Sequence, residues 1–488
     1  MSFKKMICIV LVLCLSVTVF AGCNVNVNPD APAETASEGE TADTFDPDAN
    51  VADTLEALVE STPGGVQGGP VEAPKVEGIQ YDAKYQRDLN IEPGSYAGKT
   101  ISVWTFWDMP ETDIEIYKNF EELTGAKIEY VNKLYESYSA DLIKAIAAGE
   151  GPDICYFGSE AIPAYAKKGY LLPVSDYMDV SKVAFPTNQS DINFYTFNGK
   201  LYVMPDGGNP ATSRMYFRKD IFANASLPNP YELYLQGEWT WDKFVELAQD
   251  IKQDVDGDGQ FDIWGYYSWQ QEQILYSNGA NYVQWVDGAP VEGLSDPKAI
   301  RALEWERALS EQYEIIAPWD PDADPTGMLI KGSIAMTYWG DWLLYGEEGL
   351  RAVLGDKLGL APFPKGPDAT NPFGDAASGH KEGLAGSSKE PELAALFLLY
   401  KRLPADEVAE AEAKTKKEAD ALKDFGSIEE YEMCLEMGNN AVINPCGGFT
   451  GLQEVIDAIR GKTDMTPAQA VETYKQVAQK RIDETWNQ

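Results

Sequence analysis

Between Thr100 and Phe157 the apolar pattern passes from strand to helix and back again, twice. Thr100 to Phe106 is apolar on both faces, as a strand covered by helices on each side must be. Ile116, Phe120 and Leu123 recur at i, i+4 and i+7, and Gly125 follows as a helix stop. Ala126 to Val131 reads as a second strand. Leu142, Ile143 and Ile146 mark a second helix, and Asp153 to Phe157, after Gly151-Pro152, a third strand. The order β-α-β-α-β requires an α/β unit with an open parallel sheet. Ligands of such sheets sit outside the carboxyl ends of the strands. Those ends are Phe106-Trp107-Asp108 and Phe157-Gly158-Ser159-Glu160.

One unit of this kind does not account for 488 residues, so two or three domains are expected. Beyond Pro205 longer helical stretches take over, at Asp242 to Ile251 and Pro297 to Gln312. Asn24 to Lys75 is built of Pro, Ala, Thr, Glu, Asp and Gly, and lacks the apolar content to form a core. Upstream, Lys4 and Lys5 precede an apolar run from Met6 to Phe20, shorter than the ~20 residues that span a bilayer as a helix. This reads as an export signal, residues 1–22. Phe20-Ala21-Gly22-Cys23 resembles the bacterial lipobox, with Phe where Leu is usual. In that reading Cys23 becomes the lipid-bearing residue, and residues 23–75 form an acidic linker holding the body off the extracellular face of the membrane. The alternative is an ordinary secretory peptide with a bystander cysteine.

Composition removes several functions. With 39 basic and 78 acidic residues the net charge of −39 repels phosphate backbones and anionic lipid surfaces. A single histidine, His380, leaves little room for a His-dependent triad or a multi-His zinc site. Of six cysteines, Cys8 and Cys14 leave with the signal and Cys23 is assigned to lipid. Cys155 sits in an apolar strand and reads as a buried thiol; whether Cys434 and Cys446 are bridged is left open.

Two motifs carry chemistry. Asp254, Asp256, Asp258 and Asp262 stand at loop positions 1, 3, 5 and 9, with Gly259 at 6 and the Gln260 carbonyl available at 7. Calcium in a structural role suits this loop, although position 12 is Gly265 rather than Glu; the bland alternative is an acidic solvent-exposed turn. The second motif is aromatic. Trp104, Trp107, Trp264, Trp269, Trp285, Trp319, Trp339 and Trp342 gather near predicted strand ends and turns. Any one of them is ordinarily core, but indoles beside acids, as at Trp107-Asp108 and around Asp341, suit a sugar, whose C–H faces stack on rings while its hydroxyls pair with carboxylates.

Several stretches then resemble the extracellular solute-binding lipoproteins of carbohydrate ABC importers, the maltose-binding-protein class. They are Val103 to Trp107, Gly151 to Ile154 with Tyr165 to Leu172, Tyr216 to Phe222, Lys331 to Trp342, Leu358 to Pro364, and Ile456 to Ile482. The resemblance implies a two-lobed periplasmic-binding-protein-like α/β fold with a hinged cleft. The N-terminal lobe would take residues 99–206 and 363–403, and the C-terminal lobe 207–362 and 404–488. It further implies sugar contacts by Trp107, Asp108, Phe157, Glu160, Trp269, Trp339, Asp341, Trp342 and Phe449. Phe157 and Phe449 stand where larger indoles are usual, and Asp206-Gly-Gly-Asn-Pro210, at the first crossing, does not align.

The expected function is therefore capture of a mono- or oligosaccharide by a monomeric, lipid-anchored protein, with delivery to ABC permease subunits and no catalytic step. A surface glycosidase working with two carboxylates, and a binder of polyamines or peptides, are the alternatives.

Overall fold

Strand β1 (Thr100–Thr105), helix α1 (Glu111–Thr124), β2 (Lys127–Asn132), α2 (Tyr135–Ala147) and β3 (Ile154–Phe157) follow one another as the apolar periods require. The molecule is a computed structural model, which describes residue 89 and residues 91–109, 111–179, 189–204, 213–318, 324–345, 348–375, 381–402, 419 and 422–487. The expected signal and linker, Cys23, Asp206 to Pro210, Trp319 and His380 lie outside the described residues. β1 pairs in parallel with β2, from Thr100 opposite Lys127 to Thr105 opposite Asn132, and with β3 at Val103 opposite Ile154.

After β4 (Leu171–Leu172), α3 (Gln189–Tyr195) and β5 (Val203–Met204) the chain builds a second body. Its sheet comprises β6 (Arg214–Arg218), β7 (Trp264–Tyr266), β8 (Ile334–Trp339) and β9 (Leu358–Ala361), in the spatial order β9-β6-β8-β7. β6 is buried along its whole length and runs antiparallel to both neighbours. Helices α4 (Trp241–Asp250) and α5 (Pro297–Glu311) pack on this body. α5 starts cleanly because the Asp296 carboxylate accepts from the Lys298 amide at 2.9 Å and Pro297 takes the first position, where no amide hydrogen is needed. Trp241 and Trp305 stack at 4.2 Å and 8°, so indoles on both helices are spent on the interior.

The chain returns to the first sheet as β10 (Lys381–Ala385), which inserts antiparallel beside β3 and gives the order β2-β1-β3-β10-β4, with β5 also on β10. The expected parallel sheet is thus mixed. The three leading strands are parallel, but a strand arriving from another body is not bound to the direction that a helical crossover imposes. α6 (Pro391–Tyr400) covers this sheet, and α7 (Ile428–Asn440), α8 (Leu452–Arg460) and α9 (Pro467–Trp486) complete the second body.

Each sheet has its own core: Ile101, Val103, Phe120, Leu142, Ile154 and Phe397 in the first, Phe217, Phe244, Leu303, Met336, Ile456 and Ile482 in the second. The expected return at residue 363 is too early. Phe363 is wholly buried among Phe244, Trp305 and Tyr338, and Trp239 Nε1 donates to the Pro362 carbonyl at 2.9 Å. Asn278 and Asp368 bond to each other from side chain and backbone. The chain therefore stays with the second body through Asp375, because Phe363 completes that core.

The two bodies touch at defined places. Ser190 Oγ, on α3, donates to the Asn439 carbonyl on α7 at 2.8 Å. The turn Ser159–Ala161 packs on the turn Pro445–Gly448. Trp486 ends α9, whose Val471 and Ile482 belong to the second core, yet its ring meets Phe197 of the first body at 5.9 Å and Trp285 of the second at 5.2 Å. Cys155, Cys434 and Cys446 are free, buried thiols. Cys434 and Cys446 sit in different clusters, so they are not bridged.

Candidate functional site

In the first body, the carboxyl ends of β1 and β3 meet through aromatic rings. Trp107 is half-buried, edge-on to Phe106 at 4.6 Å and to Tyr156 at 4.4 Å. Its carbonyl accepts from Thr105 Oγ1 at 2.8 Å and from the Tyr130 hydroxyl at 2.9 Å, which fixes the turn after β1. Asp108 is exposed and accepts from Asn132 Nδ2 at 2.7 Å, at the end of β2. Below Trp107, the Tyr156 hydroxyl donates to Glu382 at 2.6 Å, and Lys401 and Arg402 each reach the same carboxylate at 2.6 Å. Burial alone would raise the Glu382 pKa; the two cations and their hydrogen bonds outweigh it and hold the group well below the carboxylate range.

Phe157 is corrected from a stacking surface to a core residue. The pleat of β3 turns Cys155 and Phe157 fully inward and leaves Tyr156 beside Trp107. Glu160 is half-buried, and its Oε1 accepts from the Gly158 amide at 3.0 Å. It rides on the turn that touches Pro445–Gly448. Phe449, just beyond that second turn, is also corrected: it lies in the second core with Cys446 and Leu452, where its amide donates to the Cys446 carbonyl at 3.0 Å and ties it to the turn.

In the second body, the carboxyl ends of β7 and β8 gather the other expected residues. Trp269 and Trp339 meet edge-on at 5.2 Å. Ser268 Oγ donates to the Tyr338 carbonyl at 2.6 Å and locks the segment after β7 against β8. Then come Gly340, half-buried Asp341 and Trp342, which is 45% exposed. A Cβ at Gly340 would lie 2.0 Å from the Trp342 ring, so the indole packs against backbone that only glycine leaves bare. The Tyr216 hydroxyl donates to the Gly340 carbonyl at 2.9 Å and pins the turn from below.

Beneath this turn lies charge that the sequence did not flag. Arg214, opposite Trp339 in the ladder, is fully buried. Burial works against its charge, but Cys434, Tyr216, Tyr345 and Asp341 around it hold its pKa above the usual value. Asp375 is fully buried as well, and its Oδ1 accepts from the Phe363 amide at 2.9 Å. Burial pushes its carboxyl up to about 7, against the Phe363 amide, the Tyr338 hydroxyl and Arg214. Only an arginine at the head of the apolar run Met215 to Phe217 could have pointed here, and the aspartate that faces it, Asp375, lies far along the chain.

The acidic loop is separate. One carboxylate oxygen each of Asp254, Asp256 and Asp262 lies within 4.8 Å of the others, all exposed. Asp254 accepts from the amides of Gly257 at 2.7 Å and Gly259 at 2.9 Å, and Asp258 from the Gln260 amide at 2.7 Å. These three carboxylates fit a hard cation. Gly265 sits on β7, and a Cβ there would lie 2.4 Å from the Ala248 carbonyl oxygen of α4, so no twelfth-position Glu fits. Of the remaining tryptophans, Trp104 lies under Lys133, Trp264 packs on Phe261, and Trp285 meets Trp486, none of them at the strand-end clusters.

With this geometry established, comparison places the chain among known proteins. Residues 107–402 match the family of bacterial extracellular solute-binding proteins. The chain is 27% identical over 310 residues to the diacetylchitobiose binding protein DasA of Streptomyces coelicolor, covering 62% of this chain and 69% of that one. Among solved structures it is similar to the sugar-binding protein MalE of Xanthomonas citri, with a TM-score of 0.60, 17% identity, and 79% of this chain and 98% of that one covered. It is also similar to the GacH receptor of Streptomyces glaucescens, solved free and with acarbose, with a TM-score of 0.59, 18% identity, and 79% and 99% covered. These structural neighbours are two-lobed solute-binding proteins, and the two bodies described here share that fold.

Proposed function

The chain belongs to the bacterial extracellular solute-binding protein family, and from that premise we propose that it captures a carbohydrate between its two lobes and delivers it to the permease subunits of an ABC importer. The observation that carries this is the exposed Trp342 indole laid over Gly340, beside the Trp269–Trp339 pair. An exposed ring of that size forgoes the stabilisation that burial would bring, so its place is best explained by a ligand that covers it. Asp341 and, on the other lobe, Asp108 and Glu160 supply acceptors for hydroxyls. The names of the relatives agree in kind: one is a diacetylchitobiose binder, another was solved with acarbose.

Capture works by differential contact. A sugar seated on one lobe favours closure only by the contacts the other lobe adds. The proposal includes no bond cleavage; the two carboxylates of a glycosidase are not needed for it. It also includes export by residues 1–22, a lipid anchor at Cys23, action as a monomer at the outer face of the membrane, and a structural Ca2+ held by Asp254, Asp256, Asp258, the Gln260 carbonyl and Asp262. Among the described residues no helix is long and apolar enough to cross a membrane.

The test is a thermal-shift screen against mono- and oligosaccharides, polyamines and peptides, followed by calorimetry on whatever shifts. A sugar should raise the melting temperature and return unaltered by mass spectrometry. Stabilisation by polyamines or peptides alone, or new reducing ends appearing on incubation, would count against the proposal.

A further inference from the structure

Helix α2 begins in a way that local stability does not favour. Its N-cap residue is Leu134, whose side chain makes no capping hydrogen bond. Ser, Thr, Asp or Asn there would stabilise the first turn by about 1 kcal/mol. Leu134 is 70% exposed and Tyr135, the next residue, 53% exposed. Two large apolar side chains that bury so little contribute little to the core. A local rule broken without gain inside the fold is the mark of a residue kept for something outside it.

Their position says what that is. Both follow the carboxyl end of β2, on the edge of the sheet that carries Trp107 and Asp108. Phe106 joins the two places, because its ring meets Trp107 at 4.6 Å and Tyr135 at 5.1 Å. Polar groups line the same stretch: Asn132 bonded to Asp108 at 2.7 Å, with Glu136 exposed next to Tyr135. Rings separated by one intervening ring, with acids and an amide alongside, repeat the pairing of apolar face and hydroxyl rim that a chain of sugar units presents.

We infer that Leu134 and Tyr135 form a second stacking position beside Trp107, so that the ligand is an oligosaccharide lying along the rim of the first lobe and not a single sugar. This rests on the carbohydrate reading above and narrows it.

The experiment is calorimetry of the wild type, Tyr135→Ala and Leu134→Ser against malto- and chito-oligosaccharide ladders, each from the monosaccharide to the hexasaccharide. In the ladder that binds, the wild type gains affinity with length. Tyr135→Ala loses about tenfold on the longer members and less than about twofold on the shortest that binds. Leu134→Ser separates binding from folding: serine caps α2 and raises the melting temperature while affinity for the longer members falls. An equal loss at every length, no loss at any length, or a wild type that holds the monosaccharide as tightly as the longest chain overturns the second position and leaves carbohydrate capture standing. A wild type that binds no sugar here or in the thermal-shift screen overturns both.

Discussion

The two lobes hold their strand-end aromatics by opposite means. In the first, Trp107 rests on Tyr156, and Tyr156 on a carboxylate clamped by Lys401 and Arg402. In the second, Trp342 rests on bare backbone at Gly340, pinned from below by one tyrosine hydroxyl. The first arrangement is stiff but depends on buried charge. The second lays its ring directly against backbone, with Arg214 and Asp375 buried beneath the turn, and leaves that ring open to the solvent. Stability and affinity should therefore respond to different mutations in the two lobes.

The largest expected effect tests the charged brace. Glu382→Ala leaves Lys401 and Arg402 without their shared carboxylate, and stability should fall by about 3 kcal/mol or more, read as a lower denaturation midpoint. A change below about 1 kcal/mol would show that the buried brace contributes no more than an exposed ion pair. Next, Trp342→Ala should weaken sugar binding by about 2 kcal/mol with little change in melting temperature. Gly340→Ala keeps the indole but displaces it, and should cost roughly tenfold in affinity by the same calorimetry. Equal affinity in both variants and wild type would remove Trp342 from the site.

A third prediction concerns pH. Burial raises Asp375 from its ordinary 3.8 to about 7, so the folded protein favours the protonated form. The stabilisation from that proton is complete below the ordinary value and is lost as pH rises through about 7. Melting temperature should decline over that window, and Asp375→Asn should flatten the decline. An unchanged slope in the variant would place the dependence elsewhere. The smallest expected effect is chelation of calcium, which should lower the melting temperature by a few degrees, at ~2–4 °C per kcal/mol for a domain of this size, and leave sugar affinity intact. Identical melts with and without chelator would remove the ion from the acidic loop.

The same contrast governs what could be read from sequence. The first lobe opens with local β-α-β crossovers, so Ile101, Phe120, Leu142 and Ile154 declared their partners through period alone. Trp107 and Trp342 stand in turns at strand ends, half-buried and exposed, as expected of indoles beside acids, which are poor core material. Phe157 and Phe449 were misplaced because periodicity says that a residue is apolar, not which face of the pleat it takes, and Phe449 joins a core most of whose other members lie far along the chain. Glu382 and Asp375 gave no local signal at all. Each environment includes a partner far along the chain, Tyr156 for Glu382 and Arg214 for Asp375. The boundary near residue 363 was missed for a related reason: Phe363 completes a core begun more than a hundred residues earlier.

Trp486 carries one more consequence. An indole wedged between Phe197 of one body and Trp285 of the other is a natural optical gauge. When the bodies rock against each other its wetting changes, and with it the colour of its emission. Subtracting the spectrum of a Trp486→Phe variant would isolate that signal and let opening be followed in real time, without attaching a dye.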